Sequence, residues 1–139
     1  MAQKIREVMT AAPVTVGPQT SVVEVARIMR DQGIGVVLVA ENEELRGLVT
    51  DRDLVVRVLA EGGNVGDRTV AEACSRELIT VSPDDDVNRV VELMRQHAVR
   101  RLPVVEEDHP VGIVSLGDLA VERDTDSALS EISASEPNE

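Results

Sequence analysis

A chain of 139 residues has room for one ordinary domain or two small ones, and not for an enzyme with a large separate substrate domain. Twenty-six carboxylates against 14 Lys and Arg give a net charge of -12, which argues against nucleic acid as a partner, and the absence of Phe, Tyr and Trp removes the stacking platforms of single-strand binders. No apolar run approaches the roughly 18 to 20 residues that span a bilayer, so a globular protein with an aliphatic core and no membrane partner is expected.

The polar start, Met1 to Glu7, lacks the apolar stretch of a signal peptide, and the single Cys74 has no intramolecular disulfide partner, so a cytoplasmic protein is expected. A short helix is predicted at Ile5 to Met9, and a strand follows near Thr15 and Val16. Val22, Val25, Ala26 and Met29 fall at i, i+3, i+4 and i+7, the stripe of an amphipathic helix that Ser21 begins. Two runs rich in β-branched residues, Val36 to Ala40 and Leu45 to Thr50, read as strands joined by the polar turn Glu41 to Glu44. A second helix is predicted from Asp51 to Glu61, and Gly62, Gly63, Asn64 and Gly66 mark a linker.

The rest of the chain repeats this order. A shift of 65 positions, with no gap, lays Thr15, Val16 and Pro18 on Thr80, Val81 and Pro83, and Val22, Val25, Met29 and Arg30 on Val87, Val90, Met94 and Arg95. It closes with Gly47, Val49, Asp53, Leu54 and Val56 on Gly112, Val114, Asp118, Leu119 and Val121. The second copy accordingly predicts a short helix at Val70 to Cys74, strands at Leu102 to Val105 and Val111 to Ser115, and a last helix from Leu116 to Glu122. A copy of this size buries too little surface to stand alone comfortably. The expected fold is therefore α/β, of the α+β kind: two β-α-β-β-α repeats packed as a pseudo-twofold pair, with a cleft between them suited to a small ligand. The expected boundaries are 4–62 for the first repeat, 63–68 for the linker and 69–123 for the second repeat, with an acidic, Ser-rich, disordered tail over 124–139.

Each copy ends its second strand in a hydroxyl, Thr50 or Ser115, with a carboxylate three residues on, Asp53 or Asp118. At a helix start this set can serve a ligand: the hydroxyl and free N–H groups meet a phosphate, and the carboxylate accepts from ribose hydroxyls. The same spacing also suits a helix cap, and the two roles are compatible. Arg100 and Arg101 stand at a strand start where a guanidinium fork could meet phosphate; either could instead be solvated or paired with Glu106 or Glu107. Arg52 is a cation candidate in the first copy, or simply an exposed first-turn residue. The copies differ in charge, with Gly35 and Val36 facing Arg100 and Arg101 in the alignment, and Asp51 and Arg52 facing Leu116 and Gly117. Catalytic signatures are weak: Gly112-x-x-Ser115-x-Gly117 misses the nucleophile-elbow spacing, and His97, His109 and Cys74 make no zinc set. No enzyme, no metal and no catalytic cofactor are expected.

The segments Gly47-Leu48-Val49-Thr50-Asp51-Arg52-Asp53-Leu54 and Gly112-Ile113-Val114-Ser115-Leu116-Gly117-Asp118-Leu119, with His97 to Val104, resemble the CBS domain. Residues 4 to 123 as a whole resemble a tandem CBS pair, or Bateman module, of the stand-alone bacterial kind. The resemblance implies a regulatory sensor that binds AMP, ADP, ATP or S-adenosylmethionine, with the adenine held near Thr15 and Val16, Thr80 and Val81, Ile34 and Val99. It also implies a homodimer that signals to an unidentified protein partner. The rival expectation is an interaction module that binds no nucleotide, in which Thr50, Asp53, Ser115 and Asp118 only cap helices.

Overall fold

The computed structural model describes residues 3–75 and 78–123; the predicted acidic tail lies outside the described residues. The strands are β1 (Thr10–Ala11), β2 (Thr15–Val16), β3 (Val36–Glu41), β4 (Glu44–Thr50), β5 (Arg101–Glu106) and β6 (His109–Ser115). The helices are α1 (Val22–Gln32), α2 (Asp51–Asp53), α3 (Val87–His97) and α4 (Leu116–Arg123), and α2 continues as a π turn over Leu54–Val58 and a 3₁₀ turn over Leu59–Glu61. Helices and strands alternate as the two apolar periods predict, and the fold is α+β with two compact units.

The first unit comprises residues 13–75, 78 and 108–110. Its sheet runs β2-β3-β4, with β2 parallel and β4 antiparallel to β3, so that Thr15 lies opposite Leu38 and Val36 opposite Thr50. Ser21 starts α1 because its hydroxyl accepts the Glu24 N–H at 3.1 Å, and Gly33 ends it in the left-handed conformation at φ 64°. The stripe Val22, Val25 and Met29 is buried against Val37, Val39 and Val49, the inward residues of β3 and β4. The second unit comprises residues 3–12, 79–107 and 111–123, with a sheet in the order β1-β6-β5. There Val87, Val90 and Met94 of α3 pack with Leu102, Val104 and Val114. Asp86 caps α3 by accepting the Asn88 N–H at 2.8 Å.

The two short helices expected ahead of the copies differ from that expectation. The predicted helices at Ile5 to Met9 and Val70 to Cys74 are single 3₁₀ turns, Ile5–Glu7 and Val70–Glu72, and each serves the copy it does not precede in sequence. Ile5 is fully buried in the core of the second copy, its N–H bonded to the Asp85 carbonyl at 2.9 Å, and β1 pairs with β6. Val70 is fully buried in the core of the first copy, its N–H bonded to the Thr20 carbonyl at 2.7 Å, and Ser75 bridges Leu48. Packing therefore divides the chain after residues 12 and 78, so that each compact unit takes in a short piece from outside its own sequence repeat. The reason is that the two long strands and the helix of one copy leave an apolar face and a strand edge uncovered, and a 3₁₀ turn with a short extended piece closes both. Residues 63–68 are likewise more than a linker, since Val65 packs on the first core and begins the 3₁₀ turn Val65–Asp67.

Candidate functional site

Each unit ends its last long strand in the same turn. In the first, the Asp53 N–H donates to Thr50 Oγ1 at 3.1 Å while the Thr50 N–H donates to Asp53 Oδ2 at 2.9 Å. In the second, the Asp118 N–H donates to Ser115 Oγ at 3.1 Å and the Ser115 N–H to Asp118 Oδ2 at 2.9 Å. Both are reciprocal capping boxes with Asp at the third helical position. One oxygen of each carboxylate is committed to backbone, and the other is left for something else. On Asp53 that atom, Oδ1, lies 3.7 Å from Nε of Arg57, one helical turn on. The equivalent residue in the second copy is Glu122, which offers Asp118 no such cation.

The start of the preceding strand is tied to this turn by backbone. The Leu116 N–H donates to the Arg100 carbonyl at 2.8 Å, and in the first copy the Asp51 N–H donates to the Gly35 carbonyl at 3.0 Å. Arg100, exposed, and Arg101, half-buried, therefore stand beside the Ser115–Asp118 turn. The corresponding place beside Thr50–Asp53 holds Gly35 and Val36, with no cation, and Arg52 is exposed in the first turn of α2. Charge around the two turns thus differs: Arg100 and Arg101 give two cations at one, while Asp51 and Arg52 offset each other at the other.

Ile34 and Val99 each follow the left-handed end of a helix, their N–H groups bonded to the Met29 and Met94 carbonyls at 3.1 Å, and both pack half-buried against their cores. In the first copy Thr15 is exposed on β2, its hydroxyl donating to the Pro13 carbonyl at 3.2 Å, and Val16 is half-buried. In the second copy Thr80 is exposed, but Val81 is a core residue at 3% exposure. Its N–H bonds the Pro103 carbonyl at 3.1 Å and its carbonyl accepts from Val105 at 2.9 Å, so the predicted ligand-lining role does not fit it: side chain and backbone are both taken up by the sheet. Arg57 was not predicted, although its i+4 spacing from Asp53 is visible in the sequence.

His97 is exposed in the last turn of α3, and His109 Nδ1 lies 2.7 Å from the Glu43 carbonyl oxygen. Cys74 is half-buried, its Sγ 3.6 Å from the Ala71 carbonyl. Among the described residues no group of three or more His, Cys, Asp or Glu could hold a metal ion, and no helix is long and apolar enough to cross a membrane.

Known proteins bear on this geometry. The CBS domain family profile matches residues 5–60 and 70–123. The CBS domain-containing protein YhcV of Bacillus subtilis is 38% identical over 133 residues, covering 93% of this chain and 94% of that one. Hypoxic response protein 1 of Mycobacterium tuberculosis is 32% identical over 116 residues, 83% of this chain and 81% of that protein. A crystal structure of Hypoxic Response Protein I with two coordinated zinc ions superposes with a TM-score of 0.77 at 30% identity, covering 86% of this chain and 98% of that one. The CBS domain pair of protein MJ0100, solved with 5'-methylthioadenosine and S-adenosyl-L-methionine, superposes at 0.81 with 23% identity, over 91% of this chain and all of that one. Two copies of a helix, two antiparallel strands and a second helix, the first preceded by β2 and the second by the single bridge of Val81 to Val104, each closed by its hydroxyl-and-aspartate turn and each matched by the family profile, make this chain a tandem CBS domain pair, a member of the CBS domain family and a regulatory module.

Proposed function

We propose that this CBS pair is a cytoplasmic sensor that binds an adenosine-containing nucleotide, that the turn of the second copy is the stronger site, and that a homodimer carries the response to a partner protein. The observation that supports this reading is the juxtaposition of Arg100 and Arg101 with the Ser115–Asp118 turn through the Leu116 to Arg100 backbone bond. Two guanidinium groups meet phosphate oxygens, the first N–H groups of α4 add a positive dipole end, and the second Asp118 oxygen accepts from ribose. In the first copy the same carboxylate faces Arg57 and the strand start has no cation, so a phosphate is held less well there. The fold accommodates adenosine compounds in the MJ0100 pair; at 23% identity that likeness carries the fold alone, and the argument for this chain rests on its own residues. Mechanistically, ligand would tie the start of β5 to the start of α4 and favour the arrangement in which they are closest, a population shift that a partner can read.

Isothermal titration calorimetry with AMP, ATP, S-adenosylmethionine and 5'-methylthioadenosine tests this. Because Asn still accepts the Ser115 N–H, Asp118→Asn keeps the cap while weakening the ribose contact, and Arg100→Gln with Arg101→Gln removes the phosphate contacts. The double Arg variant should bind AMP about tenfold or more weakly, the loss of at least one charge-assisted bond. The capping boxes are complete without ligand, which favours the rival interaction module. Absence of heat with all four compounds at millimolar concentration would establish that rival instead.

A further inference from the structure

The aspartates of the two turns differ at one atom. Oδ2 of each accepts its own strand-end N–H, from Thr50 or from Ser115, so Oδ1 is the oxygen left to receive a ligand's hydroxyl. On Asp53 the chain itself meets that oxygen: Arg57 Nε lies 3.7 Å away, and the Asp53 side chain is only 20% exposed. The π turn Leu54–Val58 lies between the two residues, with the Leu59 N–H donating to the Leu54 carbonyl five residues back. Residues four apart are offset by about 40° around an α-helix and come nearer to alignment in the wider turn. Arg57 therefore stands over Asp53, while its neighbour Val58 goes into the core at 1% exposure. The equivalent position of the second copy holds Glu122, a residue of the opposite charge.

We infer that Arg57 is a specificity-determining residue: its guanidinium occupies the place of a ribose hydroxyl on Asp53, so that a nucleoside enters the first copy's turn only by displacing it. The inference rests on the nucleotide reading above and deepens it. At 3.7 Å the pair is an ion pair without a hydrogen bond, and Arg57 is half exposed, so a hydroxyl at hydrogen-bond distance can replace it. Such a pair holds back a competitor by about two- to five-fold in affinity. Salt gives the role a distinctive sign. Ions screen the competing guanidinium and leave an uncharged ligand untouched, so added salt should tighten the binding of a neutral nucleoside at this turn.

The Thr50 and Ser115 amides, each bonded to its own aspartate, report the two turns separately in an NMR titration of the isotope-labelled full chain. The probe is 5'-methylthioadenosine, which is uncharged and makes no phosphate contact with Arg100 or Arg101. Arg57→Gln should tighten the Thr50 response by about two- to five-fold and leave the Ser115 response as it was, whereas Arg57→Lys, which keeps the charge, should match the wild type at both amides. Salt at about 1 M should tighten the Thr50 response of the wild type and not that of Arg57→Gln. An absent, unaltered or weaker Thr50 response in Arg57→Gln, the same salt effect in both proteins, or an Arg57→Lys that behaves as the glutamine variant does, overturns this role of Arg57 while the Ser115 amide still upholds nucleotide binding. No response at either amide in any of the proteins at millimolar ligand overturns both.

Discussion

Gly47 sits so close to Cys74 that a β-carbon on the glycine would lie 2.7 Å from the cysteine sulfur and 3.1 Å from its Cβ. The glycine that opens the Gly-x-x-Thr segment is therefore explained by packing: the piece of chain ending in Ser75, which bridges Leu48, crosses over β4 at this point. Gly112 is the counterpart, where a β-carbon would meet Met9 Sδ at 2.6 Å and the Thr10 carbonyl oxygen at 3.0 Å, since β1 crosses β6 there. Gly47→Ala should destabilise by about 1 to 3 kcal/mol through overpacking. Gly112→Ala should cost at least as much, because Met9 can swing aside but the Thr10 carbonyl oxygen at 3.0 Å is backbone, closer than the Ser75 carbonyl oxygen is to position 47 at 3.3 Å. Urea unfolding of both variants checks the order, and Cys74→Ala should recover part of the Gly47→Ala loss.

Ile5 supplies a second prediction. As a fully buried residue of the second copy's core, Ile5→Ala should cost about 2 to 5 kcal/mol, even though it stands in what the sequence presents as the first repeat. Hydrogen exchange after the substitution should quicken most in α3, β5 and β6. Faster exchange confined to α1, β3 and β4 would contradict the packing.

This crossed membership shows what the sequence could and could not convey. The stripe Val22, Val25, Met29 and its copy Val87, Val90, Met94 state plainly that a helix buries one face, because a period of 3.6 residues is a local property. The Thr50 to Asp53 and Ser115 to Asp118 spacings likewise reveal the turns, since both partners of each cap lie within four residues. Periodicity is silent on which core a short turn joins: adjacency places Ile5 with the first copy and Val70 with the second, and packing buries each in the other core. Val81 went the same way: its alternation with Thr80 marks a strand, but only the pairing with Val104 reveals that the side chain is sealed. The widened turn at Leu54–Val58 had no local signal either, since i to i+5 bonding is selected by tertiary packing.

Acid should loosen both units through their 3₁₀ turns and caps. Glu72 is held below its ordinary value of 4.5, chiefly by the Thr69 N–H, 2.8 Å from the carboxylate, and also by Arg68. Asp84 is held below its ordinary 3.8 by its hydrogen bond and ion pair with Arg6. A carboxyl whose folded value is depressed contributes stability that is present above its unfolded value and lost as pH falls through the folded one. The melting temperature should therefore decline as pH falls below 4.5 and 3.8 toward the depressed folded values, and Glu72→Gln with Asp84→Asn should flatten that decline. Both carboxylates are exposed, so added salt should shrink the difference between the variant and the wild type.

The helix ends give the most direct comparison between the copies. Gly33 ends α1 at φ 64°, and Ala98, 65 residues on, ends α3 at φ 54° in the same left-handed region. Glycine adopts that conformation without penalty, whereas a β-carbon crowds the following carbonyl oxygen. Ala98→Gly should therefore stabilise the second unit by about 1 kcal/mol despite the added chain entropy of glycine in the unfolded state, and Gly33→Ala should destabilise the first by a similar amount. Ile34 and Val99 follow directly and lead into Gly35 and Arg100, whose carbonyls hold the starts of α2 and α4, so relaxing position 98 also tests the ligand turn. If Arg100 depends on the strained Ala98 for its place, Ala98→Gly should raise the melting temperature while weakening AMP binding. Gains in both would show that the strain has no part in positioning Arg100.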